Sequence, residues 1–229
     1  LYVRRASRTQ VITCLVIAAL LLVAFLATLP FANTPLPRYT AIVPVVNTVL
    51  ALCDYITAAI LFSQAAVLRS RALVALAMGY LFSGLVIVAH ALSFPGAFAP
   101  SGLIGGGIST TAWLYNFWHW AMPCAVIAYA SLWRGQDRDS VSPRAMRLTV
   151  IISITATVLA ALGFTLLASA GHDLLPRMMT NTISPSNNSV AITAVILGSL
   201  FTAAIVALMR GPRSLLDIWL MVAMWAWLL

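Results

Sequence analysis

The chain has 229 residues, of which 62% are hydrophobic and only 8% are charged. A soluble domain is closer to half apolar and a quarter charged, so this composition excludes a soluble protein and indicates a polytopic membrane protein. The net charge of +8 comes entirely from arginines clustered between apolar runs. Such clusters indicate membrane topology, and we therefore expect no nucleic-acid partner. Because the chain has no lysine, it cannot form a retinal Schiff base.

Long apolar runs predict an all-α bundle of transmembrane helices, since each run approaches the roughly 20 residues that cross a bilayer. The predicted spans number seven and cover residues 11–29, 41–68, 72–92, 108–132, 148–170, 190–209 and 214–229. Seven spans from a cytoplasmic N-terminus would leave the C-terminus outside, so if a cytoplasmic module follows, we expect an eighth span before it. Residues 1–229 are interpreted as one transmembrane domain of a longer protein.

The arginines are unevenly divided between the two sides of the predicted bundle. Two lie in the loops of one side, Arg38 and Arg177. Eleven lie on the other side, in the N-terminal flank and the alternate loops: Arg4, Arg5, Arg8, Arg69, Arg71, Arg134, Arg138, Arg144, Arg147, Arg210 and Arg213. Positively charged loops stay in the cytoplasm, so this division predicts a cytoplasmic N-terminus.

The second span carries a stripe of polar side chains. Asn47, Asp54, Thr57 and Gln64 are separated by seven, three and seven residues, which places them on one helix face. A polar stripe faces protein or water, because lipid would leave its groups without hydrogen bonds. We therefore take Asn47 and Asp54 as candidate ligand-binding residues.

The fourth span begins with an unusual aromatic segment that contains a histidine, residues 113–120. Its candidate ligand-binding residues are Trp113, Tyr115, Asn116, Trp118 and His119, of which Tyr115, Asn116 and His119 share a helix face. A titratable side chain inside a span is costly and marks a candidate functional site.

Asp54 and His119 are predicted to lie at a similar depth. Asp54 is thirteen residues from Ala41 and His119 is eleven from Ile108, so both lie roughly 17–20 Å below the outer ends of their spans. We expect these two side chains to face each other across a cleft. The alternative is that each makes an ordinary packing contact of about 1 kcal/mol or less.

His90 is a further candidate ligand-binding residue, at the outer end of the third span. Its difference in depth from His119 argues against a bis-histidine haem, whose axial ligands need matched positions. The chain contains no C-x-x-C, H-E-x-x-H, Walker A, Rossmann or G-x-S-x-G pattern. The sequence therefore predicts no catalytic residue and no metal site, and it identifies no cofactor.

Several segments together resemble a known family. They are D-Y-I-T-A at 54–58, L-F-S-Q at 61–64, Y-L-F at 80–82, F-P-G-A-F at 94–98, W-L-Y at 113–115 and W-H at 118–119. This pattern resembles the fourth type of bacterial membrane-associated sensor (MASE) domain over nearly the whole chain. The resemblance implies a multi-pass input domain in the bacterial inner membrane, ahead of a cytoplasmic diguanylate cyclase or histidine kinase. It implies no catalytic activity for this segment and assigns no binding residue.

Three functional hypotheses remain open at this stage. The first is a sensor that binds an unknown small ligand, contacts the lipid bilayer and relays the signal as a homodimer. The second is a small-molecule or ion transporter, although paired broken helices and inverted repeats are not visible in the sequence. The third is a cofactor-binding membrane protein.

Overall fold

The computed structural model describes residues 6–32, 34, 41–134, 141–181, 184–211 and 214–229. These residues form seven α-helices and no β-strand, which confirms the all-α class. The helices are α1 (Arg8–Thr28), α2 (Ile42–Leu68), α3 (Arg71–Ser93), α4 (Thr110–Arg134), α5 (Pro143–Ala168), α6 (Asn187–Met209) and α7 (Leu215–Leu228). Single turns of 3-10 helix follow α1 at Leu29–Phe31 and α5 at His172–Leu174.

Five segments are long and apolar enough to cross a membrane: α1 with its 3-10 turn, α2, α3, α5 and α6. This confirms a multi-pass membrane protein. α4 has 25 residues, but its asparagine, histidine and many aromatic residues lower its mean hydropathy, and α7 has only 14. The seven-span count and the cytoplasmic N-terminus stay predictions. Five of the arginines behind that orientation lie outside the described residues: Arg4, Arg5, Arg38, Arg138 and Arg213.

Serine side chains start most of these helices. The first backbone N–H groups of a helix have no partner within it, and a serine oxygen just before the helix accepts one of them. The serines that do this for α1, α3, α5, α6 and α7 are Ser7, Ser70, Ser142, Ser186 and Ser214. At the end of α2, Arg69 adopts a left-handed backbone with φ of 51°, which lets α3 begin two residues later.

α3 is the central helix of the bundle, and 61% of its most apolar stretch is buried. Its most extensive contacts are with α2 and α4, which do not form a packed pair with each other in the described part of the chain. Glycines allow both approaches: Gly84 lies against Tyr55 of α2, and Gly79 lies against Ala125 of α4. The two glycines are five residues apart, about 500° of helix rotation, so α2 and α4 pack on nearly opposite faces of α3.

Two hydrophobic clusters fill the space around α3. One includes Leu76, Tyr129 and Phe201 and joins α2, α3, α4, α5, α6 and α7. The other includes Leu114, Phe117 and Trp118 and lies nearer the start of α4. α4 contributes to both clusters, so one helix connects the two levels of the bundle.

Replacing Gly79 with alanine should destabilise the bundle, because the added methyl group would clash with Ala125. Overpacking of this kind costs about 1–3 kcal/mol. The matched control is Gly198→Ala on α6, where a Cβ would meet no atom within 4 Å. Unfolding of both variants by a graded detergent titration would test this, and equal free energies of unfolding for the two would contradict the packing described here.

Candidate functional site

The expected pairing of Asp54 with His119 is wrong. Asp54 lies against α3, where a Cβ added to Gly84 would be 3.3 Å from the Asp54 Cβ. Ser83, Tyr55 and Tyr80 lie close enough to interact with its carboxyl group. No ion pair joins Asp54 to His119 among the described residues. The physical reason is that α3 lies between α2 and α4. A side chain on α2 and one on α4 at the same depth therefore each contact α3 and not one another.

His119 is instead enclosed by aromatic rings. Its Nδ1 lies 2.6 Å from the carbonyl oxygen of Tyr115, which can only accept, so Nδ1 carries the proton. The ring centroids of Tyr115 and Trp118 lie 3.8 and 3.6 Å from that of His119. Trp227 of α7 meets the imidazole at 4.7 Å and nearly at right angles. His119 therefore links α4 to α7.

Two predicted site residues form a hydrogen bond between α2 and α3. Asn47 Nδ2 lies 2.9 Å from His90 Nδ1, and both side chains are buried. An amide nitrogen can only donate, so His90 Nδ1 accepts and its proton lies on Nε2. His90 also lies 6.2 Å, centroid to centroid, from Tyr115. The imidazole thus fixes α2 to α3 and leaves an N–H donor that has no hydrogen-bond partner within the described residues.

A cavity of about 1190 Å³ lies between the end of α3, the start of α4 and the start of α6, and we call it the α3/α4/α6 cavity. Three of the predicted site residues line it, His90, Tyr115 and Asn116. Asn47, Asp54, Trp113, Trp118 and His119 are not part of its lining. All lining side chains given by the described residues are apolar or neutral polar. A cavity of this size holds a drug-sized molecule.

The loop between α5 and α6 closes one wall of the cavity. Ser109, just before α4, accepts hydrogen bonds from the backbone N–H groups of Met178 and Met179 at 3.0 and 3.1 Å. Trp113 Nε1 donates to the carbonyl oxygen of Pro176 at 2.9 Å. Trp113 therefore holds the loop in place. The sequence analysis missed Ser109, because nothing in its neighbourhood indicates that a distant loop packs on it.

Asn116 is the most unusual polar residue of the cavity lining. Its side chain is only 2% exposed, and its Nδ2 donates to Ala112 O at 2.8 Å and approaches Met178 Sδ at 3.7 Å. Its Oδ1 is buried without a hydrogen-bond partner among the described residues. Leaving a buried acceptor unpaired costs about 1–3 kcal/mol. Because Asn116 lines the cavity, its unpaired Oδ1 is a candidate acceptor for a ligand donor.

A buried contact between α4 and α7 also escaped the sequence analysis. Tyr129 donates its hydroxyl proton to Asp217 Oδ1 at 2.8 Å, and both residues are almost fully buried. Asp217 Oδ2 in turn accepts from the backbone N–H of Ser214, which completes the capping box that starts α7. The Ser-x-x-Asp spacing before an apolar run was a visible signal for the cap, but not for Tyr129.

The separation of Asp54 from His119 predicts additive effects on stability. Asp54→Ala and His119→Ala should add within about 0.3–0.5 kcal/mol, because distant sites without shared partners do not couple. Asp54→Ala and Ser83→Ala should instead couple by about 0.5–1 kcal/mol, since the two side chains are neighbours and interact directly. Double-mutant cycles on unfolding free energy measure both terms, and a coupling larger for His119 than for Ser83 would restore the original pairing.

The comparisons with known proteins agree with the geometry. No curated protein and no solved structure matches the chain. The family model described as "Membrane-associated sensor, integral membrane domain" matches residues 37–229, which is most of the chain and includes α2 to α7. The resemblance found in the sequence is thereby confirmed, and the chain belongs to the MASE4 family of membrane-associated sensor domains.

Proposed function

We propose that this domain is the sensory input of a bacterial signalling protein, and that a small molecule binds in the α3/α4/α6 cavity. The signal passes through α7, and from there through an eighth span, to a cytoplasmic diguanylate cyclase or histidine kinase. Family membership supports the sensory role. In this proposal the full protein is a homodimer in the inner membrane, and the domain itself is not catalytic.

The topology in this proposal has seven spans in these residues and a cytoplasmic N-terminus. α4 has 25 residues, about 37 Å of helix at 1.5 Å per residue, which is long enough to cross a bilayer. It packs against α3 and α6, both of which are apolar enough to span. The excess of arginine on one side supports a position of the cavity at the outer face.

One observation carries the proposal, a continuous series of ring contacts from the cavity to α7. Tyr115 lines the cavity, its ring packs on His119, and His119 packs on Trp227 of α7. Trp227 also packs on Trp118 of α4 at 5.1 Å and is stacked with Phe201 of α6 at 6.0 Å. A ligand that moves the Tyr115 ring therefore changes the packing of α7 without an intermediate loop.

Replacing Trp227 with a smaller side chain should uncouple effector activity from ligand binding in the cavity. We expect Trp227→Leu to change effector activity of the intact protein by about fivefold or more, the range of a typical coupling free energy. His119→Ala should act in the same direction, because it removes the ring between Tyr115 and Trp227. Effector product formed per amount of protein in isolated membranes is the measurement.

The matched control is Trp219→Leu, which removes a tryptophan from the same helix. Trp219 is 43% exposed and lies outside the aromatic contacts described here. Membrane content of all three variants should equal that of the wild type. Wild-type output from both Trp227→Leu and His119→Ala would reject the relay through α7.

A further inference from the structure

We propose that the α3/α4/α6 cavity selects an uncharged amphiphile with an apolar body and a head group, such as a hydroxyl or a carboxamide, that both donates and accepts hydrogen bonds. The inference rests on the proposed function for its location, and it adds the chemical class of the ligand. Size, charge, head-group contacts and the surroundings of the apolar body each support it.

The absence of charge in the lining argues for a neutral ligand. No arginine, aspartate or glutamate of the described residues contributes to the wall, and its polar members are hydroxyl, amide and imidazole groups. An ionised ligand would lose its hydration without gaining an opposite charge, which costs several kcal/mol. A neutral molecule avoids this cost.

The head group is defined by complementary polar groups on α3 and α4. Asn116 lines the cavity, and its Oδ1 is a buried acceptor without a partner among the described residues, so in this proposal the ligand donates to it. His90 Nε2 is a donor, because Nδ1 accepts from Asn47. The backbone N–H groups of Thr111 and Ala112, in the first turn of α4, have no acceptor among the described hydrogen bonds and supply further donors. A head group that both donates and accepts hydrogen bonds can therefore pair with the acceptor and with the donors.

The apolar body fits the side of the cavity formed by membrane-facing helix surface. Val43 of α2 and the α6 residues Val190, Ala194 and Leu197 line this side, together with Ile104 and Ile108. Val190 is 50% exposed and lies in the first turn of α6, at the end that the proposed topology assigns to the outer leaflet. The volume of about 1190 Å³ exceeds what a small polar solute fills. A molecule that partitions into the membrane would therefore reach the site along α6.

The test uses three probes with one chain length and different head groups, namely 1-decanol, methyl decanoate and decanoate. The protein is reconstituted in phosphatidylcholine nanodiscs, and binding is measured by calorimetry against empty nanodiscs. We expect saturable binding of one 1-decanol per chain. Methyl decanoate lacks a donor and decanoate is charged, so both should bind at least tenfold more weakly.

Two variants connect this preference to the cavity. Asn116→Leu removes the unpaired acceptor and should weaken 1-decanol binding about tenfold, so that 1-decanol and methyl decanoate bind alike. Ala194→Phe fills the apolar side and should abolish saturable binding of every probe. Its matched control is Ala203→Phe, which adds the same ring to an exposed position of α6 that does not line the cavity.

Three outcomes would overturn the inference: equal binding of the three probes, no saturable binding above empty nanodiscs, or wild-type binding by Ala194→Phe. The result is independent of the sensing proposal, because binding is measured without an effector. Selective 1-decanol binding combined with wild-type output from Trp227→Leu would retain the ligand class and reject the relay. The opposite combination would retain the relay and reject the ligand class.

Discussion

The close packing of α3 between α2 and α4 is the constraint on which the rest of the bundle depends. In a bilayer, helices gain nothing from leaving lipid for another apolar surface, so tight association needs small residues that let backbones approach. Gly79 and Gly84 provide this on nearly opposite faces of α3. With α2 and α4 on those two faces, the polar groups of each helix must find partners independently.

The two neighbours of α3 satisfy their polar side chains differently. On α2, Asn47 bonds to His90 of α3, and Asp54 lies against α3 beside Ser83. On α4, Asn116 and His119 turn back to carbonyl oxygens of their own helix, one turn earlier. A local bond of this kind is available in any helix context, but it uses only one atom of each side chain. Asn116 Oδ1 is the acceptor that remains without a hydrogen-bond partner among the described residues.

The sequence predicted well those features that depend on spacing along one helix. The seven-residue spacing placed Asn47 and Asp54 on one face, and both side chains indeed face α3. Helix existence followed from the length of the apolar runs. The partner across a helix interface could not be predicted, because depth follows from counting residues, whereas the identity of the neighbouring helix depends on packing of the whole bundle. The predicted pairing of Asp54 with His119 failed for this reason.

The cavity was only partly visible in the sequence for a related reason. His90, Tyr115 and Asn116 were recognised as unusual residues, but the wall formed by the loop between α5 and α6 depends on Ser109 and Met178, which are 69 residues apart. No local pattern indicates such a contact. The aromatic segment of α4 was likewise seen without its partner, because Trp227 lies more than a hundred residues later.

α7 is attached to α4 at two levels that differ in how easily they deform. Asp217 bonds Tyr129, and Trp227 packs on His119; in each helix the two residues are ten positions apart, about 15 Å. Breaking the first contact would leave a buried carboxylate oxygen without that donor, which is costly. Aromatic contacts tolerate several offset and edge-to-face geometries of similar energy. A displacement of Tyr115 would therefore tilt α7 about the Asp217 end, so that an event in the α3/α4/α6 cavity becomes a change of helix angle.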